Sequence, residues 1–269
     1  MPDAPDNYAD PVTQTPPGAA DPEAEAPQER VVGPVTAATE RLIATAEALD
    51  DDAIRDPSLC SRWSRAHVLA HVARNADGLA NLLTWANTGV ETPMYASAAA
   101  RNADIEAGAG KALPELVDDL RTSAAEFSAA VTAMPDDGWE RQVHTGPAAA
   151  GAAVPARRIL WLRLRELELH HVDLDAGYAP DDWPVPFVAR ALPESLKACD
   201  RRDEVPPFRV VVNGAQVGGT PGLSGDPSAP TVYGEAPAVL AWITGRSPGA
   251  NLRVEPAVQL PALPPGSWL

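Results

Sequence analysis

The chain is short of cysteine, of long apolar runs and of basic residues near its start, and each shortage removes a class of protein. Its two cysteines, Cys60 and Cys199, form no CxxC and follow no regular spacing. That excludes a disulfide framework and fits a reducing cytoplasm. No window approaches the roughly 18 consecutive apolar residues that a membrane helix needs. The N-terminus has neither the basic nor the apolar region of a signal peptide. A cytoplasmic protein with no membrane partner is therefore expected. Residues 1–29 carry Asp3, Asp6, Asp10, Asp21, Glu23, Glu25 and Glu29 and no Lys or Arg. The whole chain has a net charge of −16 and a pI of about 4.6. That is the wrong sign for nucleic acid or an anionic membrane surface. There is no internal repeat.

At 269 residues, with 45% hydrophobic composition, the chain can bury an ordinary core, and two domains are expected. Residues 1–30 are rich in Pro, Ala and acids without apolar periodicity. They read as a disordered tail, because too little surface is available to offset ordering entropy. Helical spacing predicts a first helix over Val35–Leu49 and a second from the N-cap candidate Ser64 to Asn87. Residues 88–111 read as an irregular crossover with a short helix near Ala96–Glu106. A third long helix follows Pro114, and Met134–Val154 reads as a loop. A fourth helix begins near Pro155 and runs through RRILWLRLRELELHHVDLDAGY (Arg157–Tyr178). Long helices with short links imply an antiparallel four-helix bundle over residues 31–179.

Past Tyr178 the pattern changes. Pro180, Pro184 and Pro186 mark a linker, and a helix is expected over Phe187–Cys199. β runs follow at Phe208–Asn213 and Gln216–Gly219, joined at Asn213 and Gly214, a good hairpin signal. A third β run at Thr231–Gly234, a helix over Pro237–Thr244 and a strand over Leu252–Val254 complete a small α+β domain over residues 180–260. Leu260–Leu269 reads as irregular. The fold class is thus α+β, a helical bundle followed by a small α/β unit.

The chemistry-bearing residues sit on two of these helices. Glu166 and His170 are four apart, one above the other on a helix face. On the second helix, His67, His71, Asn75 and Gly78 form a polar track beside an apolar stripe. Neither pattern alone means much, since Glu and His take such spacing on many solvated helices. Together, on helices that pack in one bundle, they offer two imidazoles and a carboxylate. That set gives a Zn²⁺-type ion three ligands and leaves a fourth position open. His67 competes with His71 one turn earlier. His171 points about 100° away from His170 and cannot share the face of Glu166. Asp173, three residues beyond His170, could orient that ring. Cys60 reads as a small core residue, so no cysteine is expected at the site.

Two stretches, WSRAHVLAHVARNADGLANLLTWANTGVETPMY (Trp63–Tyr95) and RLRELELHHVDLDAGY (Arg163–Tyr178), closely resemble the mycothiol-dependent maleylpyruvate isomerases, part of the wider group of DinB-like metal-binding bundles. VYGEAPAVLAWITGR (Val232–Arg246) resembles the family's second, sterol-carrier-like domain. The resemblance covers roughly residues 30–255. It implies a zinc ion held by His71, Glu166 and His170, with mycothiol as thiol cosubstrate. It implies isomerisation of maleylpyruvate to fumarylpyruvate, and an arginine of the second domain needed for activity, which falls on Arg246. Arg246 reads equally well as a cap on a helix C-terminus. A mycothiol S-transferase acting on another electrophile would need the same residues. A non-enzymatic binding module is the third reading.

Overall fold

The computed structural model describes residues 29–219, 229–256 and 259–263. Residues 1–28 of the tail expected over residues 1–30, and the last six residues of the Pro-rich end, lie outside the described residues. The chain divides into two compact units that adjoin in sequence at Tyr178 and Ala179.

The first unit is helical. Its long helices are α1 (Glu29–Glu47), α2 (Arg65–Thr88), α4 (Leu113–Thr132) and α5 (Arg158–Asp173), with the shorter α3 (Ala98–Ala109) in the crossover. Helix α1 begins six residues before the periodic stretch, so Glu29 and Arg30 belong to it rather than to a tail. Pro34 lies inside it, at the cost of one backbone bond. The N-terminus of α2 is fixed by Ser64, whose backbone N–H donates to Nδ1 of His67 at 3.2 Å, and its end by Gly89 at φ 75°. That left-handed geometry suits glycine. Helix α2 packs against α3, α4 and α5, and α1 covers α4 and α5. Its two faces therefore pack against different neighbours, and Val68, Leu69, Val72, Leu79, Leu82 and Leu83 are all fully buried.

Two close approaches set the crossover on α2. A Cβ on Gly78 would meet Cγ of Met94 at 2.7 Å, and one on Gly108 would meet Cβ of Ala70 at 2.8 Å. Side-chain-free positions let the Met94–Tyr95 segment and α3 lie directly on α2.

The expected loop over Met134–Val154 is partly ordered. It holds a 3-10 turn at Asp136–Glu140 and an antiparallel pair, β1 (Gln142–His144) and β2 (Ala153–Pro155), with Val143 opposite Val154. Each strand buries one valine between two more exposed residues. Three residues are too few for an alternating period to stand out in the sequence.

The second unit contains α6 (Val185–Cys199), β3 (Arg209–Val212), β4 (Ala215–Gly219), β5 (Thr231–Gly234), α7 (Ala236–Ile243) and β6 (Arg253–Glu255). The sheet order is β4-β3-β5-β6, with β3 and β5 parallel and the outer pairs antiparallel. Asn213 (φ 51°) and Gly214 (φ 79°) make the β3–β4 turn, the double positive-φ geometry of a tight hairpin. Phe208, Val210, Val212 and Val232 are buried, and Phe208 meets Trp242 of α7 edge-on at 5.1 Å.

Candidate metal centre

Helix α5 is buried along nearly its whole length, so its charged residues must find partners inside the protein. Glu166 and His170 face α2 and meet His71 there. Nε2 of His71 lies 2.9 Å from Oε2 of Glu166, and Nε2 of His170 lies 3.5 Å from the same oxygen. The two imidazole rings cross edge-on, 4.6 Å between centroids. The three ligand atoms lie within 4.8 Å of one another, all in buried residues.

Three side chains hold this arrangement. Nδ1 of His170 donates to Oδ2 of Asp173 at 2.8 Å, which aims the opposite nitrogen, Nε2, at the cluster. Nη2 of Arg101, on α3, donates to Nδ1 of His71 at 3.1 Å. Nη1 of the buried Arg163 donates to the carbonyl of Val72 at 2.8 Å and to Oδ1 of Asn75 at 2.9 Å. Arg163 is one turn from Glu166, and Asn75 one turn from His71. This crosslink therefore sets the register of α5 against α2.

The electrostatics follow from burial and pairing. Burial pushes the His71 imidazolium down to about 3, so the ring is neutral at neutral pH. For Glu166, burial alone would favour the acid, but hydrogen bonds from His170 and His71 outweigh it and hold the carboxyl well below the usual range. For His170, burial disfavours the charge, while Asp173, Cys60 and Glu166 together outweigh it and raise the group well above 6.5. The cluster therefore presents one carboxylate, one neutral imidazole and one imidazole that would have to give up a proton before it could ligate a metal.

Of the residues singled out in the sequence, His71, Glu166 and His170 come together, and Asp173 stands behind His170. His67 does not join them. Its Nδ1 is used at the start of α2, and its Nε2 lies 3.4 Å from Glu106. His171 points to α1, where Nε2 meets Oγ1 of Thr45 at 2.7 Å.

Cys60 corrects the expectation that no cysteine lies near. Its buried Sγ is 4.0 Å from Nδ1 of His170, and Cys60, His170 and Asp173 form a second cluster of ligand types. The turn before α2 folds back onto the end of α5 through Leu59 N–H to the carbonyl of Asp173 at 2.9 Å, and this brings the thiol in. It approaches the ring edge opposite Nε2.

Arg246 follows Gly245 at the end of α7. Its N–H donates to the carbonyl of Ala241 at 2.7 Å, and Nη1 donates to the carbonyl of Thr244 at 2.8 Å. These contacts are those of a helix-end cap. Arg101 and Arg163 stand in no pattern that marks them in the sequence, whereas Asn75 lies on the polar track of α2 and finds its partner in Arg163.

A helical bundle that gathers two imidazoles and a carboxylate from facing helices can hold a metal ion with an open coordination position. The family profile described as the mycothiol maleylpyruvate isomerase N-terminal domain matches residues 35–175, more than half of the chain. The chain belongs to this family. Its fold is similar to a crystal structure of the mycothiol-dependent maleylpyruvate isomerase, at TM-score 0.81 and 28% identity over 90% of this chain and 99% of that one. A histidine-to-alanine mutant of the mycothiol-dependent maleylpyruvate isomerase matches at TM-score 0.81 and 27% identity over the same shares. No curated protein sequence matches the chain. No helix among the described residues is long and apolar enough to cross a membrane.

Proposed function

We propose that this protein is a zinc- and mycothiol-dependent cis-trans isomerase that converts maleylpyruvate to fumarylpyruvate. The observation that carries the reading is the convergence of His71, Glu166 and His170 on one buried point. The donor set fits the metal: two imidazole nitrogens, one carboxylate oxygen, and Asp173 on the far nitrogen of His170, the usual outer partner of a metal-ligating histidine. We assign the bundle, expected over residues 31–179, and the α+β unit, expected over residues 180–260, to two separate domains.

Rotation about a conjugated C=C bond is slow because the π bond must be broken. Addition of a thiolate to one alkene carbon pushes the π electrons onto the adjacent carbonyl as an enolate and leaves a single bond that rotates. Collapse of the enolate then expels the thiolate and restores the double bond in the trans form, so the thiol is not consumed. A zinc ion at this site would supply a Lewis-acidic position that favours the thiolate over a thiol of ordinary pKa near 8.5. The chain's own residues prepare that position. His71 and Glu166 enter neutral and anionic, His170 releases its proton on ligation, and Asp173 keeps that ring oriented. Arg246 is assigned to the substrate, gripping a carboxylate or the developing enolate oxygen with its guanidinium. The negative net charge makes no steering field for a dicarboxylate, which leaves this to local cations.

The test is an assay of purified protein with mycothiol and maleylpyruvate. Fumarylpyruvate should accumulate with no net loss of thiol. Stoichiometric loss of thiol to an added electrophile, without isomer formation, would replace this reading with an S-transferase.

A further inference from the structure

The two histidines of the cluster differ at their outer nitrogens. A histidine that ligates through one nitrogen carries its proton on the other, so its outer partner is ordinarily an acceptor. Asp173 meets that requirement for His170. Arg101 cannot meet it for His71, because a guanidinium has five N–H donors and no acceptor. In the structure, Nδ1 of His71 therefore accepts from Arg101, and Nε2 carries the proton and donates to Glu166. That tautomer has no lone pair at Nε2. Ligation through Nε2 places the proton on Nδ1, and two donors then face each other across a gap that is now 3.1 Å. A buried pair of opposed donors is costly, and one acceptor between them satisfies both.

We propose that Arg101 and Nδ1 of His71 form a two-donor subsite for one anionic oxygen, a carboxylate oxygen of a small molecule, which is completed when His71 ligates through Nε2. The inference rests on the metal reading above. The surroundings suit the subsite. Arg101 is 5% exposed, whereas His71 is fully buried, so of the two groups the guanidinium lies nearer to solvent. The Tyr95 ring lies under the guanidinium at 5.7 Å, and Nη1 is held by Oδ1 of Asn102 at 3.1 Å. A shift of the guanidinium by about one hydrogen-bond length would be needed to admit an oxygen between the two donors. Glu166 faces the opposite edge of the His71 ring and cannot serve both nitrogens. Charge-assisted bonds from Arg101 and the imidazole N–H would make the oxygen's site selective for anions over water.

Zinc affinity of the full-length protein, measured by competition with a chromophoric chelator at constant ionic strength while acetate replaces an inert anion, tests the subsite. Because anion and metal bind cooperatively, zinc affinity of the unaltered protein should rise roughly 3- to 10-fold as acetate approaches saturation. Arg101→Met should abolish that dependence and bind zinc more tightly than the unaltered protein without acetate. Arg101→Gln, whose amide oxygen can accept from Nδ1, should bind zinc tightly with or without acetate, and covers a failure of the Met variant to fold. Zinc binding that ignores acetate in the unaltered protein would overturn the subsite alone. An equal acetate effect in all three proteins would do the same. Absence of zinc binding under every condition would overturn the metal reading as well.

Discussion

Helix α5 carries two acid–histidine pairs, and its two faces treat them in opposite ways. Towards α2, Glu166 and His170 converge with His71 on one point, three ligand atoms sharing one small volume. Towards α1, Glu168 and His171 turn to neighbouring side chains instead of to one point, and meet only through Tyr178. Arg41 donates to Oε1 of Glu168 at 2.7 Å, and the Tyr178 hydroxyl donates to Oε2 at 2.5 Å. His171 meets Thr45 and stacks flat on Tyr178 at 3.8 Å between centroids. Burial raises the Glu168 carboxyl against the pull of Tyr178 and Arg41, whereas Glu166 is held low. Residue type and helical spacing are nearly the same on both faces. What separates a ligand set from a structural network is whether the donors share a target or each has its own.

The largest expected effect follows from that contrast. Glu166→Ala should lower zinc affinity by more than about 100-fold, beyond the 10- to 100-fold that outer partners are worth, with Glu168→Ala leaving it within about 2-fold. Metal analysis of the two purified variants checks this, and equal loss in both would erase the distinction between the faces. Next in size, Asp173→Asn keeps the shape but weakens the acceptor at Nδ1 of His170. Zinc affinity should fall about 10- to 100-fold, with a folded protein that is less stable when metal-free, because Asp173 supports the raised His170. Thr45→Val, the matching change beside His171, should not alter metal content.

How much of this was readable from the amino-acid order depends on the length of chain each feature needs. The long helices, the hairpin at Asn213 and Gly214 and the α+β class were legible because several turns or a specific dipeptide repeat one physical signal. The i,i+4 pair Glu166 and His170 was legible for the same reason, and His71 followed from the polar track on α2. The β1–β2 pair was not, since one buried valine per strand makes no period. Arg101 was not, because its meeting with His71 depends on Gly108 packing against Ala70, a tertiary contact with no local signature. Cys60 was misplaced because its position depends on a turn folding back on α5 through backbone bonds that any sequence could make.

A pH titration of the metal-free protein sharpens the comparison further. The folded His71 ring takes a proton only near 3, against 6.5 for an ordinary imidazole. Between those values the unfolded chain binds a proton that the folded ring refuses, so stability falls as pH drops below about 6.5. His170 acts in the other direction. Its raised value contributes stability that is complete below 6.5 and is lost as pH rises through its folded pKa. These two rings together favour the metal-free fold most near pH 6.5. Glu166 adds an acid loss only below its ordinary value of 4.5. His71→Gln should thus move the onset of acid destabilisation from about 6.5 to about 4.5, read from urea midpoints between pH 3 and 8. An unmoved onset would mean that His71 does not resist protonation in the fold.

The smallest effect belongs to the dispersed face. Glu168→Gln keeps an acceptor for the Tyr178 hydroxyl but removes the charge opposite Arg41. The carboxylate is 1% exposed and the arginine side chain 39%, so solvent screens much of what is lost. A destabilisation of about 0.5–1 kcal/mol is expected, near that of a surface pair, because the burial that raises the Glu168 carboxyl offsets part of what Arg41 supplies. Urea unfolding measures it, with zinc affinity and isomerase activity as controls. Because Glu168 and His171 share no target with His71, the variant should lose stability while zinc affinity and turnover stay within about 2-fold. A variant of unchanged stability but altered metal affinity would mean that the two faces of α5 are coupled through the helix, and that dispersal of the second pair serves the site rather than the scaffold.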